Sequence, residues 1–312
     1  MASISVVDAA REAVQHTRRH LFPVRPLRWL ALGFLAFLDQ CGRSMSGGGP
    51  MAGNDGHDRP WPGAGGSHAG GDLAEALRSF STWLSDHAVV ITLGVLGAVL
   101  LVATVMAIVL WINARGTFMY LDNVATGRAD VARPWREHER AAWSYFGWRL
   151  ALGLGIFFVL LMAAGVVAVG AMAFARGRLA GSEGGFAFLA LGPALLMLLL
   201  ALPLLALAHL ALRDFVAPLQ MVTGLSCGAA ARLLETLLTS HPGAFLLYLL
   251  LKILLFAVTG VVVLVGGCLT CCIAFLPVVL QTVFQPLFYF ERAWPLFLLR
   301  QLGYDLPGRR VA

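Results

Sequence analysis

In a sequence this apolar, chemistry has to begin at the few ionisable and thiol groups. Lys252 is the only charge in the apolar stretch 244–290. An ammonium group inside a bilayer is costly enough to mark a functional position, unless its long stem carries the charge out to the headgroups. Gln281 and Gln285 follow in the returning part of the stretch, four residues apart and therefore on one helix face. Pro277 and Pro286 flank them, and prolines free backbone carbonyls that can line a polar cavity. Lys252, Gln281 and Gln285 thus form a candidate intramembrane polar site for a lipid headgroup, an ion or a small solute. The plainer alternative has Lys252 snorkelling to the surface and the glutamines joining helices through hydrogen bonds.

GGCLTCC at 266–272 is the other dense cluster. A structural zinc site takes four ligands; Cys268, Cys271 and Cys272 supply three, and no histidine is near in sequence. A Cys268–Cys271 disulfide is one reading, if the turn faces an oxidising compartment. Packing as small apolar side chains is the other. His57 and His68 fall in a glycine-rich stretch without a preformed site, and His209 is a single histidine near the end of an apolar run. Glu137, His138 and Glu139 are consecutive and so diverge on a helix, whereas Arg133 and Glu137 have the spacing of a surface ion pair. No G-x-x-x-x-G-K-[ST], H-E-x-x-H or G-x-S-x-G pattern occurs. The residues therefore imply no catalytic group, no metal and no cofactor, and the expectation is a non-enzymatic protein.

The elements that must position these groups are membrane helices. Apolar residues make up 59% of the chain, charged residues 13%, and the mean hydropathy is +0.78, whereas soluble domains carry about 25% charged residues. Uncharged or nearly uncharged runs cover 88–112, 150–175, 186–212 and 244–290. At 1.5 Å per residue the last would make a helix of about 70 Å against a hydrocarbon core of about 30 Å. It must therefore fold into two spans, with the break expected at Gly266-Gly267. A sixth, short first span is expected at 27–41. With it, a large majority of the arginines fall on one side, and the positive-inside rule makes both termini cytoplasmic. The fold class expected is an all-α integral membrane protein with about six transmembrane helices plus interfacial amphipathic helices. The net charge of +6 is then matched to membrane lipids rather than nucleic acid.

Between the spans, residues 1–26 form a basic amphipathic segment, with Val6, Val7, Ala10 and Val14 expected on the leaflet or in a solvated tail. Residues 42–87 hold the glycine-rich loop and a surface helix with Leu73, Leu77, Phe80 and Leu84 on one face. The five-helix membrane core, 88–290, carries two cytoplasmic loops, 113–149 and 213–243, both expected as interfacial helices. In the first, Arg115, Arg133, Trp135, Arg136, Trp143 and Trp148 are candidates for contact with lipid headgroups or a partner. In the second, Ser226 opens a helix that His241-Pro242-Gly243 ends. Residues 291–312 read as a basic C-terminal tail.

Several segments, FPVRPLRWLALGFLAFL, RGTFMYLDNV, ARPWREHERAAWSYFGWRL, RDFVAP, FLLYLLLK, CLTCCIAFLP and FYFERAWPLFLLRQLG, resemble in their order a family of uncharacterised bacterial polytopic membrane proteins. Some members of that family are described as similar to the membrane domain of glycerophosphodiester phosphodiesterases. The resemblance implies a cell inner membrane location and no assigned reaction; the soluble phosphodiesterase catalytic domain has no counterpart here. The expected role is structural or accessory, organising lipids or partner proteins, or self-associating, at the cytoplasmic membrane. The alternative is a transporter or channel-like protein built around Lys252, Gln281 and Gln285.

Overall fold

The computed structural model describes residues 4–41, 86–175, 192–269, 276 and 278–304, and every regular element among them is a helix. The chain divides into two compact units, Met1–Cys41 with Leu110–Ala312, and Gly42–Val109. The helices are α1 (Val6–Leu21), α2 (Pro26–Gln40), α3 (Ala88–Thr126), α4 (Ala132–Glu137), α5 (Glu139–Ala175) and α6 (Gly192–Ala211). A π-helical turn (Leu212–Val216) joins α6 to α7 (Ala217–Thr223), followed by α8 (Cys227–Ser240), α9 (Pro242–Leu269), α10 (Val279–Val283) and α11 (Gln285–Gln301).

Among the described residues four helical stretches are long and apolar enough to cross a membrane: Thr92–Thr126, Glu139–Gly170, Gly192–Thr223 and Pro242–Leu269. Their apolar side chains are largely uncovered, as at Leu101, Leu161, Leu200 and Phe256. Such surface is stable only where hydrocarbon takes the place of water, which suggests a membrane-embedded protein. The second unit is described only from residue 86 onward, through the exposed Val89, Leu93 and Leu101. By contrast, the core of the first unit is drawn from α1, α2, the last part of α3, the start of α5, the π-turn with α7, α8, the start of α9, and α11.

Several sequence expectations change here. Residues 113–126 do not form a helix of their own: they continue α3 without a break and bury Phe118, Leu121 and Val124, and Gly116 there meets the α2 backbone so closely that a side chain would collide with Leu38. One face of the N-terminal helix packs on protein: Ala9, Ala13, His16 and Leu21 are buried while Val7 and Val14 are exposed. Small alanines allow α11 to approach, and Trp294 Nε1 donates to the Val6 carbonyl at 3.1 Å while Ser5 N donates to Gln301 Oε1 at 2.9 Å. Residues 291–301, read as the start of a tail, belong to α11 and include the fully buried Arg292, Ala293 and Leu298. Gly266 and Gly267 do not break α9, which runs to Leu269; Gly266 instead makes room for the Phe284 ring. Ser226 and His241 do bound α8, although Ser226 caps it without a side-chain hydrogen bond.

Candidate functional site

Six charged side chains from four parts of the first unit converge in its interior. Asp39 is the penultimate residue of α2, where the carbonyl end of the helix disfavours an anion. Two guanidinium groups offset this. Arg292 Nε donates to Asp39 Oδ2 at 3.0 Å and its Nη2 pairs with Oδ1, while Arg213 Nη2 donates to Oδ2 at 3.1 Å. The two arginines are also locked to each other, since Arg292 Nη1 donates to the Arg213 carbonyl at 2.8 Å. Arg213 Nη1 reaches Glu291 Oε1 at 2.8 Å.

The neighbouring Asp214 starts the second half of the network. Tyr248 OH donates to Asp214 Oδ2 at 2.8 Å. Lys252 Nζ lies 2.8 Å from the same oxygen and 3.4 Å from Glu291 Oε1, contacts that are ionic rather than well-directed hydrogen bonds. The π-turn carries both Arg213 and Asp214, each buried; its extra residue per turn re-aims side chains that a regular helix would fix, a device common at functional sites. Three carboxylates, Asp39, Asp214 and Glu291, thus balance three cations, Arg213, Lys252 and Arg292. Desolvating a charge costs several kcal/mol, and only full pairing with good geometry compensates for it.

Local structure sets up this convergence. Asn113 Nδ2 donates to the carbonyls of Leu38 and Asp39 at 2.9 and 2.6 Å, satisfying the otherwise open end of α2. Trp29 Nε1 donates to the Thr282 carbonyl at 2.6 Å, tying α2 to α10.

The three sequence candidates divide among different partners. Lys252 does not snorkel; it is buried within the network. Gln285, fully buried, donates to Tyr120 OH at 3.2 Å, and Gln281 Nε2 faces Gln40 Oε1 at 3.4 Å. Sequence reasoning missed Asp39, Arg213, Asp214, Glu291 and Arg292 as a group. The available signal was charge inside apolar flanks, in FLDQ, ALRDFV and FYFERAW, but nothing in those segments says that they meet.

Two arginines of 113–149 are engaged within the protein. Arg115 is buried, not turned to headgroups: its Nη2 pairs with Glu139 at 2.8 Å, its Nη1 donates to the Trp135 carbonyl at 2.9 Å, and its guanidinium lies over the rings of Trp111 and Trp135. Arg133 pairs with the buried Asp122 and, at 2.8 Å, with Glu137. Arg136, Trp143 and Trp148 are exposed and available to an outside partner. Cys268 is exposed; Cys271, Cys272, Pro277, His57, His68 and the surface helix at 73–85 lie outside the described residues. Among the described residues, no group of three or more His, Cys, Asp or Glu side chains is placed to hold a metal ion.

A family model described as a family of unknown function (DUF7544) matches residues 4–302. No curated protein and no solved structure matches the chain.

Proposed function

The chain belongs to DUF7544, a family of unknown function, and we propose that it is a non-enzymatic accessory protein of the cytoplasmic membrane that organises lipids or partner membrane proteins. One observation carries this reading. The charged groups in and beside the spans are spent on neutralising one another, whereas the surface turned outward is apolar helix with exposed Trp143, Trp148 and Arg136 at one end. Aromatic and arginine side chains at the end of a span suit the headgroup region, where an apolar body and a polar tip are both satisfied. The reading keeps both termini cytoplasmic and the segment before Arg292 as the close of the last hairpin. It does not keep a first crossing at 27–41: Arg28 donates to the Gly127 carbonyl while Leu38 and Asp39 accept from Asn113, so both ends of α2 lie against 113–127, the start of the arginine-rich segment 113–149. The packing of α1 on α11 supports placing the two ends on one side.

Transport is the second reading, and it draws on the burial of Lys252 and Asp214 within candidate spans, since intramembrane ionisable groups often mark solute or proton paths. Two measurements separate the readings. Native electrophoresis of gently solubilised membranes should show the chain in a lipid- or protein-bearing complex that the triple change Arg136→Ser, Trp143→Ser, Trp148→Ser disperses. Proteoliposomes should show no proton or ion flux above protein-free vesicles. Flux abolished by Lys252→Met, with the complex indifferent to the triple change, would replace the accessory reading with transport.

A further inference from the structure

A second feature of the first unit lies beside the ionic network and is chemically its opposite. α6, the π-turn, α8 and the start of α9 enclose an apolar cleft of about 450 Å³. Leu204 and Leu207 form one wall, Leu246 the other, Leu238 of α8 lies across it, and Phe215 and Tyr248 make the floor. The floor is aromatic: the Phe215 ring packs against Phe245 and Tyr248 at centroid distances of 5.1 and 4.9 Å. Tyr248 lines the cleft and donates its hydroxyl to Asp214, so the apolar cleft and the buried charges share this residue.

We infer that this cleft is a binding site for one acyl chain of a bilayer phospholipid. The occupant follows from position and chemistry. Both walls belong to candidate spans, Gly192–Thr223 and Pro242–Leu269, so the medium around them is hydrocarbon. The outer wall residues Leu204 and Leu246 are 68% and 59% exposed, which makes the cleft continuous with the lipid-facing surface. Water has no hold there, because a buried water needs two to four polar partners. At one end the cleft reaches Pro242, the first residue of α9. The adjoining His241 has a buried ring Nδ1 with no hydrogen-bond partner, and Gly243 faces open space. The amphipathic α8, with Leu234 and Leu238 turned to the cleft, bridges the spans at that end as an interfacial helix does. The chain therefore enters beneath α8 with the phospholipid headgroup beside His241.

The inference deepens the lipid side of the proposed accessory role and rests on it. Its test uses the full chain in proteoliposomes with a phosphatidylglycerol carrying a photoreactive diazirine in one acyl chain, with adducts mapped by peptide. Adducts at 204–208 and 245–249 are expected to saturate and to be competed by a small excess of unlabelled phosphatidylglycerol. Equally exposed positions such as Leu195 and Leu199 should only be diluted in proportion. Ala208→Trp, which fills the cleft, should remove the saturable fraction several-fold and leave the proportional one. Proportional dilution at the cleft overturns the inference, as does saturable labelling by a diazirine fatty acid but not by the phospholipid. Loss of the saturable adducts in Ala208→Trp with the native complex intact would separate this site from the wider accessory role.

Discussion

Asp39 is the residue on which the interior depends most. It accepts from two arginines that otherwise face each other across a desolvated space. Removing one partner of a buried ion pair costs about 3–5 kcal/mol, because the remaining charge is left uncompensated. Asp39→Ala is expected to lose stability on that scale, read as the midpoint of denaturant unfolding in detergent. Replacing both members, Asp39→Leu with Arg292→Met, should recover part of the loss, since no orphan charge then remains from that pair and Arg213 keeps Glu291. A double variant less stable than Asp39→Ala would show that the network stabilises beyond its charge balance. Cys227 offers a simpler check. Burial pushes its thiol up to about 12, and the thiolate is the reactive form, so Cys227 should resist maleimide at pH 8 in the folded protein and react once unfolded.

At the scale of elements, close helix approach carries the fold. A methyl group on Gly116 would sit 2.5 Å from Leu38 Cβ and 2.7 Å from the Leu38 carbonyl carbon, and the neighbouring backbone cannot yield as a flexible side chain would. Gly116→Ala should therefore push α2 off α3 and cost about 1–3 kcal/mol, the range for overpacked sites. Hydrogen exchange across 26–40 should rise while α8 stays protected. Gly127 is bound by conformation as well: it has φ +67° and a Cβ there would strike the His20 ring, so the turn after α3 admits glycine for two independent reasons. The helical type of each long element was legible from apolar runs. Its extent was not, because α3 and α5 continue past their apolar parts on tertiary contacts with α2, α4 and α8.

For the whole molecule the proposed topology makes a labelling prediction. Val14, Val131 and Leu225 are exposed and lie on segments assigned to the arginine-rich side. Single cysteines at these positions, with the native thiols replaced, should react with a membrane-impermeant maleimide only after the cytoplasmic membrane is permeabilised. Labelling of Val14→Cys in intact cells would remove the cytoplasmic N-terminus, and with it the proposed sidedness.

Composition and run length by themselves determined that the described elements are all helical and that several of them suit a bilayer, because a spanning segment must satisfy every backbone group internally and present apolar side chains to lipid. Even Lys252 could be picked out from sequence, as the single charge in a long apolar run. Its partners could not. Asp214 is 38 residues away and Glu291 39 residues away in the chain, and each, read locally, resembled the polar edge of a span or the start of a tail. Only the tertiary structure decided that these edges meet inside one core. Pairing of charges is fixed by distances between helices, and single-segment hydropathy holds no information about those distances.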